Sequence, residues 1–143
     1  MTPKTAFALS VVASASLIAT AAVAQSAANG ERTYSLTLTG ANEAPGPGDP
    51  DGSGTATVTV SVREREVCYN FEVNDIEPLT GAHIHEAPSG SPGPIVVPLD
   101  ESGSGCETVT ARLAAQILAR PSRYYLNVHT ADFPAGALRD ELG

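Results

Sequence analysis

Apolar and polar side chains alternate in short runs along most of this chain, the period-two signature of half-buried β-strands. Tyr34, Leu36 and Leu38 share one face of residues 34–39. In residues 55–62, Val58, Val60 and Val62 point inward and Thr57, Thr59 and Ser61 outward. Val67, Tyr69, Phe71 and Val73 continue the spacing beyond the charged turn Arg63-Glu64-Arg65-Glu66, which together predict a β-hairpin. Ile95-Val96-Val97-Pro98-Leu99 is a short apolar strand ended by proline. In residues 123–130, Tyr124, Leu126 and Val128 take one face, and Tyr125, Asn127 and His129 the other. A last strand is expected over 137–142. Between Thr108 and Arg120 the period changes. Ala111, Leu113, Ala114, Ala115, Ile117 and Leu118 fit one short amphipathic helix, capped by Thr108 or Thr110 and stopped by Pro121. Six to eight short strands, Gly- and Pro-rich connections and a single helix predict an all-β fold, an antiparallel β-sandwich first and a closed barrel second.

The amino-terminal residues stand apart from this pattern. Lys4 precedes an apolar, small-residue stretch from Phe7 to about Ala22, and Ala22-Val23-Ala24 has the small-x-small form of a signal-peptidase site. Residues 1–24 therefore read as a signal peptide, 25–32 as a flexible polar segment, and 33–143 as one domain. The expected location is secreted or periplasmic. Cleavage would remove the only lysine and leave seven arginines against sixteen acidic residues, a formal charge of −9 (7 − 16). That balance argues against nucleic acid and anionic lipid as partners, and no membrane association is expected after cleavage. In an oxidising compartment the only two cysteines, Cys68 and Cys106, are expected to form a disulfide. The bridge would enclose a loop of roughly 38 residues and contribute roughly 4 kcal/mol by chain entropy.

Candidate chemistry concentrates in three histidines. His83 and His85 lie in Gly81-Ala82-His83-Ile84-His85-Glu86, and in an extended strand they project to the same side while Ile84 faces away. His129 lies in Tyr124-Tyr125-Leu126-Asn127-Val128-His129-Thr130. A His-x-His pair on one strand with a histidine from another can form a metal site of three imidazoles. Imidazole suits copper and zinc, with copper the stronger binder of nitrogen ligands. Glu86, Asn127 and Arg139 are candidates for supporting roles around it: Glu86 or Asn127 to complete or orient the shell, Arg139 as an anchor forked onto Glu86 or Asp132. The same histidines could instead hydrogen-bond to backbone and carboxylates and hold loops together. Asp49-Pro50-Asp51-Gly52-Ser53 opens like a calcium loop, but Val60 stands where a bidentate glutamate is needed, so it reads as a turn.

Several separated motifs give the chain a family resemblance. Ala41-Asn42-Glu43-Ala44-Pro45, Gly52-Ser53-Gly54-Thr55-Ala56, Ala82-His83-Ile84-His85, Gly93-Pro94-Ile95-Val96-Val97-Pro98-Leu99, Tyr124 to Thr130 and Phe133-Pro134-Ala135-Gly136-Ala137-Leu138-Arg139 occur in that order. Together they resemble the CHRD domain, the module named from chordin, over about residues 33–142. The resemblance implies an extracellular β-sandwich module, with a Greek-key arrangement of the immunoglobulin or superoxide dismutase kind. It implies no assigned activity. Glu86 and Asp140 depart from the family pattern, Asp140 standing where the closing Arg-Gly-x-Leu has glycine. The His-Ile-His segment is also locally similar to the copper-ligand strand of Cu,Zn superoxide dismutases. Those enzymes need further histidines that this chain does not have, so the similarity argues for copper binding more than for catalysis.

Three readings follow: an exported metal-binding protein, a non-catalytic module recognising a protein or glycan, and a small copper redox enzyme. No Gly-x-Ser-x-Gly elbow, P-loop or dinucleotide fingerprint occurs, and no catalytic residue is assigned.

Overall fold

A computed structural model describes residues 30–143. The expected signal peptide, residues 1–24, and residues 25–29 of the expected flexible segment lie outside the described residues.

Among the described residues eight strands and one α-helix follow in order: β1 (Glu31–Thr39), β2 (Ser53–Ser61), β3 (Glu66–Asn74), β4 (Leu79–Glu86), β5 (Ile95–Leu99), β6 (Ser104–Thr108), α1 (Ala111–Ala119), β7 (Tyr124–Thr130) and β8 (Leu138–Glu141). β1 begins before the expected boundary, because Glu31 and Arg32 pair with Ser61 and Val60. β6 was not legible in the sequence. Ser104-Gly105-Cys106-Glu107-Thr108 has no apolar alternation, and its strand character comes from pairing with Glu66 to Asn70.

All strand pairs are antiparallel. They form one sheet in the order β5-β4-β7-β8-β1-β2-β3-β6. Its edge strands β5 and β6 approach each other, so the sheet is nearly barrel-shaped. The expected sandwich presupposes two sheets, whereas here a single register point, Thr39 opposite Arg139, joins the β5-β4-β7-β8 half to the β1-β2-β3-β6 half. Asp140 helps to hold that junction. Its carboxylate accepts the Thr37 N–H at 2.7 Å, so a side chain supplies what the missing main-chain pairs of β1 and β8 do not.

The interior follows the alternation read from the sequence except at the end of β2, where Ser61, expected outward, is buried and Val62, expected inward, lies beyond the strand and is only partly buried. Leu38, Val58, Val60, Val67, Ile84, Leu126, Val128 and Leu138 are fully buried. α1 adds Ala114 and Ile117 to this core. Thr110 caps it by accepting the Leu113 N–H through Oγ1 at 3.1 Å, and Pro121 begins the short 3-10 turn that follows. Burying Ile117 contributes about 1.5–3 kcal/mol. Among the described residues no helix is long and apolar enough to cross a membrane.

The disulfide joins Cys68 to Cys106, which sit opposite each other on β3 and β6. It lies on the outer face, as the alternation predicts. It does not touch β4, however, so it encloses the His-Ile-His segment in sequence without bracing it directly.

Candidate metal centre

β4 and β7 are neighbours, and their register settles which side chains meet. Gly81 lies opposite His129, His83 opposite Asn127, and His85 opposite Tyr125. On the far side of β7, Asn127 lies opposite Arg139 and Tyr125 opposite Glu141. Alternation sends Ala82, Ile84, Leu126 and Val128 into the core. His83, His85, Tyr125, Asn127, His129 and Arg139 share the other face. This face is covered too: Tyr125, Asn127 and Arg139 are buried, as is His85. β7 is therefore buried on both sides, where its sequence predicted only one.

One ring nitrogen from each of His83, His85 and His129 lies within 4.8 Å of the others. An equilateral triangle of that edge has its centre about 2.8 Å from each corner, ~0.7 Å beyond a metal–imidazole bond of about 2.0–2.1 Å. Small rotations of the rings would close the shell. The ring centroids are 5.0 Å apart for His83 and His129, 5.5 Å for His83 and His85, and 6.2 Å for His85 and His129. Gly81 makes this approach feasible. A Cβ there would stand 3.0 Å from Cε1 of His83 and 3.7 Å from Cδ2 of His129.

In His85 and His129 one ring nitrogen is held by main chain. His85 donates Nδ1–H to the Gly93 carbonyl at 2.8 Å, which leaves Nε2 with its lone pair. That Nε2 and Nδ1 of His83 are buried and have no hydrogen-bond partner among the described residues. His129 donates Nδ1–H to the Pro134 carbonyl at 3.1 Å, and its Nε2 faces Oδ1 of Asn127 at 3.1 Å. A neutral ring cannot donate to both oxygens. Either the Asn127 amide turns its nitrogen toward Nε2, or a cation takes that lone pair. Carbonyl anchoring of the distal nitrogen is the usual support of a metal-bound imidazole, and the donor set fits copper or zinc.

Burial lowers the pKa of His83, and the neighbouring His129 and His85 lower it further. Burial also lowers that of His129, against the Pro134 carbonyl, which raises it. Both effects keep the rings neutral and their lone pairs free near neutral pH.

The supporting residues fall out differently from the sequence reading. Asn127 does meet His129. Glu86 does not face the histidines: it lies on the opposite face of β4, opposite Tyr124, with Nε of Arg123 4.0 Å away. Arg139 is forked onto neither Glu86 nor Asp132. Its guanidinium carbon lies 3.4 Å over the Tyr125 ring, Nη1 donates to the Ser91 carbonyl at 2.9 Å, and Nη2 is 3.5 Å from Glu141. Tyr125, read from sequence as packing, stacks on His85 with centroids 4.9 Å apart.

Glu43 is the residue that sequence reasoning missed. Burial raises its carboxyl to about 7, although Ala44 N–H, Arg139 and the Asn127 amide all pull it down. It comes from the loop after β1, and Gly136 gives it room: a Cβ there would stand 2.5 Å from the carboxylate. Its only sequence signal was its place in the Asn42-Glu43-Ala44-Pro45 motif.

Comparisons with curated proteins and with solved structures returned no match. The family model of the CHRD domain matches residues 34–142, from the first core tyrosine of β1 to the last buried leucine. The chain belongs to the CHRD domain family.

Proposed function

We propose that this CHRD domain is exported, to the periplasm or the cell exterior, and binds a metal ion there through His83, His85 and His129. Copper is favoured and zinc is second. The observation that carries this reading is the convergence of three ring nitrogens within 4.8 Å on one face of β4 and β7. Nδ1 of His83 and Nε2 of His85 are buried without partners, and main-chain carbonyls hold Nδ1 of His85 and of His129, which supports it. A purely structural histidine would be expected to use its buried nitrogens in hydrogen bonds. The role is storage, transfer or protection rather than catalysis. Among the described residues the three rings form the cluster without a carboxylate oxygen, a donor set suited to holding an ion.

The test is metal content and affinity. Protein purified without added metal is titrated with copper and zinc, and its melting temperature followed. One equivalent bound, with a rise in melting temperature that a His83→Ala, His85→Ala double variant abolishes, is the expected result. Sub-stoichiometric binding of both ions, with no thermal shift, would sink the reading.

A further inference from the structure

Imidazole suits copper and zinc alike, so donor type alone does not choose the ion. Charge does. The three rings are neutral donors, and among the described residues no carboxylate oxygen belongs to their cluster. Glu86 is turned away, and Glu43 meets the Asn127 amide.

A permanent cation shares their face instead. Arg139 is 1% exposed and lies in the same cross-strand row as His83 and Asn127. Because β7 runs between β4 and β8, Tyr125 is stacked between the Arg139 guanidinium and the His85 imidazole. The guanidinium carbon is 3.4 Å from the Tyr125 centroid, and that centroid 4.9 Å from the His85 centroid. The cation is thus within ~8 Å of a ligand ring. At that distance and an effective dielectric of about 20, each unit of positive charge at the centre loses roughly ten- to thirtyfold in affinity. Glu141, 3.5 Å from Nη2 but on a partly exposed side chain, offsets some of this. A dication meets the opposing field twice and a monocation once.

We propose that Arg139 is a specificity-determining residue of the three-histidine centre, which it biases toward cuprous copper over divalent zinc and cupric copper. The inference rests on the histidine cluster binding metal at all.

The experiment measures two affinities in each of four proteins. Cu(I) is competed against bicinchoninate without oxygen, and Zn(II) against a chromophoric chelator. Wild type, Arg139→Gln, Arg139→Lys and Glu141→Gln are compared, after circular dichroism establishes that each is folded. The ratio of Cu(I) to Zn(II) affinity is expected to fall about tenfold in Arg139→Gln, to stay within about threefold of wild type in Arg139→Lys, and to rise several-fold in Glu141→Gln. If Arg139→Gln fails to fold, Glu141→Gln decides alone, because its carboxylate is partly exposed and its loss leaves only Glu43, partly protonated near pH 7, to offset the guanidinium. The same ratio in every folded variant overturns the proposal while leaving the metal centre standing. No binding of either ion by wild type overturns the metal centre, and this inference with it.

Discussion

The rings of His85 and Tyr125 lie parallel, 4° between their planes and 4.9 Å between their centroids, and both are fastened to Gly93. The Gly93 carbonyl accepts Nδ1–H of His85, and its N–H donates to the Tyr125 hydroxyl at 3.1 Å. One residue of the Gly- and Pro-rich loop between β4 and β5 therefore sets the plane and tautomer of His85, while Tyr125 limits where that ring can go.

Replacing Tyr125 separates its two contributions. Tyr125→Phe keeps the stack and loses only the acceptor for Gly93, and should cost about 0.5–1.5 kcal/mol with little change in metal affinity. Tyr125→Ala removes a buried ring that also carries the Arg139 guanidinium, and should cost about 3–5 kcal/mol. Urea unfolding gives the stabilities and titration calorimetry the affinities. Equal losses of affinity in the two variants would show that the hydroxyl, not the stack, orients His85.

Gly81 is a steric test of the centre. Gly81→Ala places a methyl 3.0 Å from Cε1 of His83, tight enough to push the ring by a few tenths of an ångström. Gly81 is buried, so metal affinity is expected to fall at least tenfold and stability by about 1–3 kcal/mol as the His83 ring gives way to the added methyl. Gly81→Val should abolish binding. Unimpaired binding by the valine variant would mean that His83 is not a ligand.

Glu43 makes stability depend on pH in a particular direction. Its carboxyl titrates near 7 in the folded chain against an ordinary 4.5, because burial opposes ionisation. The native state therefore holds a proton that the unfolded state gives up between those values. Its contribution is complete below pH 4.5 and is lost as pH rises through 7. Glu43→Gln should be more stable than wild type at pH 8, relative to their difference at pH 4.5, on the order of 2–3 kcal/mol. His83 and His129 act in the opposite sense, since their lowered values favour the folded state above pH 6.5 and withdraw that support as pH falls. Chemical denaturation of both proteins across pH 4.5–8 isolates the Glu43 effect. Parallel curves would refute it.

The disulfide and the histidine face are separable. Cys68 and Cys106 join β3 to β6, and β4 and β7 lie toward the other end of the strand order. A Cys68→Ser, Cys106→Ser double variant should lose about 2–4 kcal/mol of stability and keep its metal affinity when folded. Thermal melts and a metal titration below the lowered melting point check both statements.

Much of the fold was legible because local rules decide it. Alternation places Leu36, Val58, Tyr69 and Leu126 inward whatever their partners are, since a strand has only two faces. Thr110 and Pro121 bracket α1 through backbone groups that lie within a turn of them. β6 was not legible, because a polar edge strand is specified by the neighbour it pairs with.

The candidate centre divides along the same line. That His83 and His85 point the same way follows from the period of a strand, and no tertiary information is needed. That Glu86 points away follows from the same period, yet its closeness in sequence suggested a role it cannot play. His129 joins the pair only because β4 and β7 are neighbours in a register that sets Gly81 opposite it. Glu43, Gly93 and Arg139 arrive from three further segments, and a buried carboxyl or a stacked guanidinium has no periodic signature. Sequence determined which residues could face outward together. Tertiary structure decided which of them meet, because register between distant strands is fixed by the packing of the whole sheet rather than by any one of its strands.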